Sequence, residues 1–192
     1  MICLEEGNLK LKYEKNDEFK NIKALVLDVD GTLTDGKIYI GSQGEMMKAF
    51  NSADGLGIDI WRKLGYKIFI ITGRNSLIVS KRAAELDIDE VVQGVDDKVN
   101  ALNIVAERNA INLDEICFIG DDLNDLAAMK LCGKSMAVAQ ACDFVKENTD
   151  LVLSKRGGEG AVREGIEIIL KSQGKWEKIL KDFIGEKIDK NS

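Results

Sequence analysis

The chain has 192 residues, enough for one domain that buries roughly 70% of the surface its unfolded form exposes, so no disulfide or metal staple is needed to hold it. Lysine plus arginine number 27 against 33 for aspartate plus glutamate, and the formal charge of -6 argues against non-specific binding to nucleic acid or acidic membranes. There is no histidine, so acid-base chemistry falls to Asp, Glu, Lys, Tyr or Cys.

No stretch approaches the roughly 20 apolar residues of a membrane helix, and residues 1 to 20 lack the apolar centre of a signal peptide, so the chain reads as cytoplasmic. Cys3, Cys117, Cys132 and Cys142 show no CxxC spacing and read as incidental thiols in a reducing compartment.

Residues 1–22 are charged with weak periodicity and read as a peripheral N-terminal arm; residues 23–172 form the main domain and 173–192 a helical tail. Within the domain the first apolar run, Ala24 to Leu27, is strand-like and leads directly into Asp28 and Asp30. At a strand exit, residues two apart can both face the crevice where open α/β sheets bind ligands. Two carboxylates there can hold a divalent cation while one attacks phosphorus and the other moves a proton; a merely polar strand exit accounts for the pair equally well.

Residues 37–50 read as a β-hairpin around a Gly-Ser-Gln-Gly turn, either a flap over the site or a subunit contact. Helical spacing predicts a helix over Gly57 to Leu64, then a strand over Ile68 to Ile71. The turn that follows, Thr72, Gly73, Arg74 and Asn75, offers a hydroxyl, free N-H groups and a cation at a helix mouth, which suits phosphate; a helix cap and a solvated arginine are the plainer alternative. A helix over Ser76 to Leu86 and a strand at Val91 and Val92 come next.

Lys98 follows Asp96 and Asp97 at the start of a helix expected over Val99 to Asn109. A lone lysine there is ordinarily solvent-facing, but its place after the third strand allows it to neutralise a phosphoryl group and a nucleophile. After the strand Ile116 to Ile119 come Gly120, Asp121, Asp122 and Asp125, leading into a helix over Leu123 to Leu131. Capping explains one or two of these acids; three of them opposite another acidic pair call for a cation, and magnesium suits hard oxygen ligands. Weaker strands at Met136 to Val138 and Leu151 to Val152, a helix over Gly160 to Ser172 and an amphipathic terminal helix with Trp176, Leu180 and Ile184 on one face complete the chain. Alternating strands and helices predict an α/β fold: a Rossmann-like three-layer sandwich with a mostly parallel central sheet and a projecting hairpin.

The ordered set DxDGT, strand then Thr72, Lys98 before a helix, and GDDxxD resembles the haloacid dehalogenase superfamily of phosphohydrolases. The resemblance implies that Asp28 is the nucleophile forming an aspartyl-phosphate and that Asp30 is the general acid and then the base. Thr72, Gly73 and Lys98 would bind the phosphoryl group. Mg2+ would be held by the Asp28 side chain, the Asp30 backbone carbonyl and Asp121, with Asp122 and Asp125 behind them.

More narrowly, TDGKIYI, KAFNSADGLGI, ITGRN, QGVDDK, GDDLND and GGEGAVREG, spread over about residues 22 to 172, are similar to the capless 3-deoxy-D-manno-octulosonate 8-phosphate phosphatase subfamily and to relatives acting on nonulosonate (sialic-type) 9-phosphates. That likeness implies a 2-keto-3-deoxy sugar acid phosphate as substrate, most simply octulosonate 8-phosphate, in lipopolysaccharide biosynthesis. It implies a homotetramer whose hairpins meet, and a mobile segment from Gly157 to Glu164 beside the site. Arg74, Asn75 and Glu159 would bind the substrate; of these Arg74 resembles the octulosonate group, whereas Glu159 fits the nonulosonate relatives. A phosphoacceptor signalling receiver uses similar residue types, but there the acidic pair and the acceptor lie on different strands; a non-catalytic sugar-phosphate-binding protein is the other alternative.

Overall fold

The computed structural model describes residues 17–189. In chain order these form a short 3-10 turn at Asp17–Phe19, β1 (Ala24–Leu27), β2 (Tyr39–Gly41), β3 (Gly44–Met47), α1 (Ser52–Lys63), β4 (Lys67–Thr72), α2 (Leu77–Glu85), β5 (Glu90–Gln93), α3 (Lys98–Arg108), β6 (Ile116–Gly120), α4 (Leu123–Met129), β7 (Lys134–Ala137), α5 (Asp143–Glu147), β8 (Leu151–Val152), α6 (Ala161–Ser172) and α7 (Trp176–Asp189). Six strands make one parallel sheet in the order β5-β4-β1-β6-β7-β8, and β2 pairs with β3 in a separate two-stranded sheet.

All four residues of β1 are buried, the continuous apolar signature of a central parallel strand covered on both faces. The chain runs outward from β1 through β4 to β5, then returns to the other side through β6, β7 and β8. With right-handed crossovers that reversal puts α1 on one face and α3 and α4 on the other. It also makes the carboxyl end of β1 the switch point, where open sheets leave a crevice. Register aligns the three strand ends there: Leu27 lies level with Ile70 of β4 and Ile119 of β6, so Thr72 and Asp121 come level with each other one residue beyond Asp28.

Several boundaries differ from the sequence expectation. α1 starts at Ser52, five residues before the expected Gly57, because Asn51 caps it by accepting a hydrogen bond from the Ala53 N-H at 2.8 Å. Its two glycines, which argue locally against helix, are close-packing positions: a Cβ on Gly57 would lie 2.9 Å from Arg163 Cδ of α6. Phe19 and Ile22, assigned to the arm, are buried in the main core, and the Phe19 N-H donates to Ser172 Oγ at 3.2 Å, so the packed body extends back at least to Phe19. In α7 the inward face is Trp176, Ile179 and Leu180; Ile184, expected on it, is exposed. The short α5 was not expected, nor was the five-residue coil from Val29 to Leu33. Cys117 is buried and pushed far up by desolvation, consistent with an inert thiol; Cys3 lies outside the described residues. No helix among the described residues is long and apolar enough to cross a membrane.

Candidate active site

Asp28 leaves β1 with its N-H donating to the Ile119 carbonyl at 3.1 Å, which holds the backbone in register as the side chain enters the crevice. Its Oδ1 accepts from Lys98 Nζ at 2.6 Å, and the same ammonium donates to Asp125 Oδ1. Lys98 is buried, so the solvent-facing alternative fails: Asp97 caps α3 through the Asn100 N-H at 3.0 Å, and the first helical side chain is turned inward. Burial opposes the ammonium charge, but Asp28 and Asp125 outweigh it and hold the Lys98 pKa above its ordinary value.

Asp125 is fully enclosed. While Oδ1 accepts from Lys98, Oδ2 accepts from the Asp121 N-H at 3.1 Å and the Asp122 N-H at 3.3 Å. Asp122 is exposed and closes the N-terminus of α4 by accepting from the Leu123 N-H at 2.8 Å, which is the capping role. Asp121 accepts from Thr32 Oγ1 at 3.3 Å. It lies so close to Gly31 that a Cβ there would sit 2.0 Å from Asp121 Oδ2, and Gly31 has φ of +101°, so only glycine fits between the two acidic segments.

Asp28, Asp121 and Asp125 each bring a carboxylate oxygen to within 4.8 Å of the other two. In the metal-free protein, burial and then the Asp125 charge push Asp28 up to about 6, against the pull of Lys98. Burial, followed by the charges of Asp28 and Asp125, pushes Asp121 up to about 7. Carboxylates that hold protons this tightly lack positive charge. A divalent cation between Asp28 and Asp121 fits that deficit. Asp125 is a poorer ligand despite its proximity, because both of its oxygens already carry hydrogen bonds.

Asp30 sits in the coil beyond Asp28. Its Oδ1 accepts from Lys48 Nζ, and Arg74 Nε lies 3.9 Å from Oδ2. Thr72 is buried at the end of β4, level with Asp121 across the switch point. Gly73 lies against the Val95 carbonyl, and Asn75 lies over Gly94, where a Cβ would come within 2.4 Å of its amide. Arg74 stands at the crevice mouth with its side chain 53% exposed. Glu159 is 63% exposed and its ion pair is with Arg156 at 4.0 Å. Thus Asp28, Lys98, Asp121 and Asp125 converge, Thr72 and Asp30 leave the same edge of the sheet beside them, Arg74 borders Asp30, and Asp122 and Glu159 are exposed.

The segment expected to be mobile is tied down. The Gly157 N-H donates to Gln140 Oε1 at 2.9 Å, Gln140 Nε2 donates to the Gly31 carbonyl at 2.6 Å, and Asn51 Nδ2 donates to the Gly158 carbonyl at 3.1 Å. Lys48 and Gln140 went unread in the sequence. Gln140 lies just past β7, at the same carboxyl edge of the sheet that drew attention to Asp28 and Asp121, so the edge rule applied to the weaker strands would have found it. No comparable signal marks Lys48.

A family model described as haloacid dehalogenase-like hydrolase matches residues 88–164. The 3-deoxy-D-manno-octulosonate 8-phosphate phosphatase of Escherichia coli (strain K12) is 42% identical over 156 residues, 81% of this chain and 83% of that protein. The chain is a haloacid dehalogenase-like phosphatase. It belongs to the capless octulosonate-phosphatase-like branch, and this membership sets aside the receiver alternative. Among solved structures, the cobalt-bound octulosonate 8-phosphate phosphatase of Haemophilus influenzae is 39% identical with a TM-score of 0.81, covering 83% of this chain and 93% of that one. The Moraxella catarrhalis enzyme, in complex with magnesium, phosphate and the sugar acid, is 41% identical with a TM-score of 0.83, covering 86% and 95%. In this haloacid dehalogenase-like fold the separate β2-β3 hairpin takes the place of a cap among the described residues.

Proposed function

We propose that this phosphatase hydrolyses 3-deoxy-D-manno-octulosonate 8-phosphate with magnesium, through an aspartyl-phosphate on Asp28. The observation that carries the reading is Asp28 at the exit of the central strand, fixed by Lys98 and facing Asp121. The likeness to octulosonate 8-phosphate phosphatases supports the substrate.

In the first step an Asp28 carboxylate oxygen attacks phosphorus while the P-O bond to the sugar breaks, and Asp30 gives its proton to the departing alkoxide. In the second, Asp30 takes a proton from water, the resulting hydroxide attacks phosphorus, and phosphate leaves as Asp28 is restored. Lys98, the Thr72 hydroxyl and the Gly73 N-H hold the phosphoryl oxygens in line, and positioning supplies much of the rate. Asp28, the Asp30 carbonyl and Asp121 would hold Mg2+, which when bound neutralises charge on the phosphoryl group. Asp125 orients Lys98 and the Asp121 backbone, and Asp122 closes the helix beneath them. Arg74 and Asn75 meet the sugar acid, and Glu159 bears on chain length. The hairpin, with Ile40 70% and Met46 65% exposed, is assigned to subunit contact in a homotetramer.

Phosphate release from octulosonate 8-phosphate and nonulosonate 9-phosphates, compared by kcat/KM with and without magnesium, tests the reading. The octulosonate ester should lead and should require magnesium. A higher value for a nonulosonate ester would transfer the assignment, and metal-independent release would overturn the mechanism. Sedimentation of Ile40→Asp should show smaller particles than the native protein; identical particles would remove the hairpin from the interface.

A further inference from the structure

Asp30 is the proton carrier in the proposed chemistry, yet nothing in its own loop holds its side chain. The backbone at Asp30 (φ -79°, ψ 103°) leads straight into Gly31 in the left-handed region, and the only hydrogen bond to its carboxylate among the described residues comes from Lys48. Lys48 follows β3, so a residue of the hairpin rather than of the main sheet grips the carboxylate.

The lysine is itself over-determined. Its side chain is 1% exposed, and its ammonium is shared between Asp30 Oδ1 and Glu45 Oε1, the latter at 3.1 Å. The second Glu45 oxygen accepts from Ser76 Oγ, and that hydroxyl accepts from the Val79 N-H at 3.3 Å as the cap of α2. A buried ammonium between two carboxylates is expensive to disturb, because displacing it strands charge on both sides. The chain of contacts from Asp30 through Lys48 and Glu45 to Ser76 therefore locks the carboxylate to the helix that follows the Thr72 turn. One Asp30 oxygen is held by the lysine, and Oδ2, which accepts no hydrogen bond among the described residues and has the Arg74 guanidinium 3.9 Å away, is left for the proton.

We infer that Lys48 is a positioning residue for the proton transfer, aiming Asp30 Oδ2 at the leaving oxygen, and that Glu45 and Ser76 keep it in place. The inference rests on the reading of Asp30 as general acid. A residue that only anchors the hairpin would, when lost, slow all substrates alike. A residue that aims a general acid matters most where the leaving group needs a proton. Aryl phosphates isolate this difference, since phenyl and p-nitrophenyl phosphate lack the sugar acid and differ mainly in leaving-group basicity, and kcat/KM reports only the steps up to leaving-group departure.

In Lys48→Met the ratio of kcat/KM for p-nitrophenyl phosphate to that for phenyl phosphate should rise about 10-fold over wild type, and Lys48→Arg should return it to within about 3-fold. Glu45→Gln, which keeps the Asp30 contact but loosens the lysine, should raise the ratio in the same direction; it carries the test should Lys48→Met fail to fold. Asp30→Asn serves as the reference and should raise the ratio most. If Asp30→Asn raises it and the Lys48 and Glu45 variants do not, the positioning role is overturned while the general acid stands. If Asp30→Asn leaves the ratio unchanged, the general-acid assignment falls and the role of Lys48 falls with it.

Discussion

Asp122 and Asp125 are both aspartates of one GDDLND stretch, and replacing each by asparagine should give opposite results. Asp125 accepts three hydrogen bonds, from Lys98 on one oxygen and from the Asp121 and Asp122 N-H groups on the other. Asparagine has one accepting end and one donating end, so in either orientation an NH2 group faces a donor, the Lys98 ammonium or the paired N-H groups. Removing a partner from a buried charge costs several kcal/mol, and Lys98 keeps Asp28, so the loss for Asp125→Asn should be about 2–4 kcal/mol. For a chain of this size that lowers Tm by roughly 4–15 °C. Asp122 is exposed and caps α4, and asparagine caps about as well, so Asp122→Asn should change stability by less than about 0.5 kcal/mol. Thermal and urea unfolding in chelator measure both without interference from metal. Equal stability for the two variants would refute the account of Asp125 as the saturated acceptor behind Lys98.

Asp28→Asn should abolish turnover while the protein keeps a cooperative melt near the native Tm; phosphate release at the native rate would remove the nucleophile assignment. The pH dependence follows from the raised carboxyls. Asp28 at about 6 and Asp121 at about 7 hold protons more tightly in the folded metal-free protein than in the unfolded chain, where the ordinary value is 3.8. Their contribution to stability is complete below about pH 4 and disappears as the pH rises through about 6 to 7. Melts in chelator should thus lose stability across that window, and the Tm gain from magnesium should grow with pH; a gain that does not change with pH would contradict the origin of the shifts. Gly157→Ala places a Cβ 1.7 Å from the Gly31 carbonyl oxygen, so the coil bearing Asp30 must move. We expect at least about 2 kcal/mol of destabilisation and a fall in kcat, and native kinetics would show that this backbone contact does not position the site.

The central sheet was legible because β1, β4 and β6 are apolar runs that end in polar residues, and burial on both faces makes such runs continuous. The converging groups were legible for the same reason: Asp28 and Asp121 each follow a strand, Thr72 ends one, and register brings strand ends together. What escaped depends on distances that no local pattern encodes. Gly55 and Gly57 hid the start of α1 because their purpose lies in neighbouring side chains rather than in their own segment. Phe19 and Ile22 belong to the core through contacts with residues some 150 positions away in the chain. Lys48 looks like any charge on a hairpin until the fold buries it between Asp30 and Glu45.

The hairpin has two unlike ends. At its tip the chain turns through Ser42 and Gln43, and a Cβ on Gly44 would meet nothing within 4 Å; at its base Lys48 and Asn51 are bonded into the body. Extra sequence introduced at the tip would extend into open space without disturbing the base, as exposed turns generally permit. A capless enzyme of this kind therefore already holds the socket into which a lid domain can be grafted, and the part that must be kept through such a change is the short base segment from Lys48 to Asn51 together with Glu45 of β3, not the tip above them.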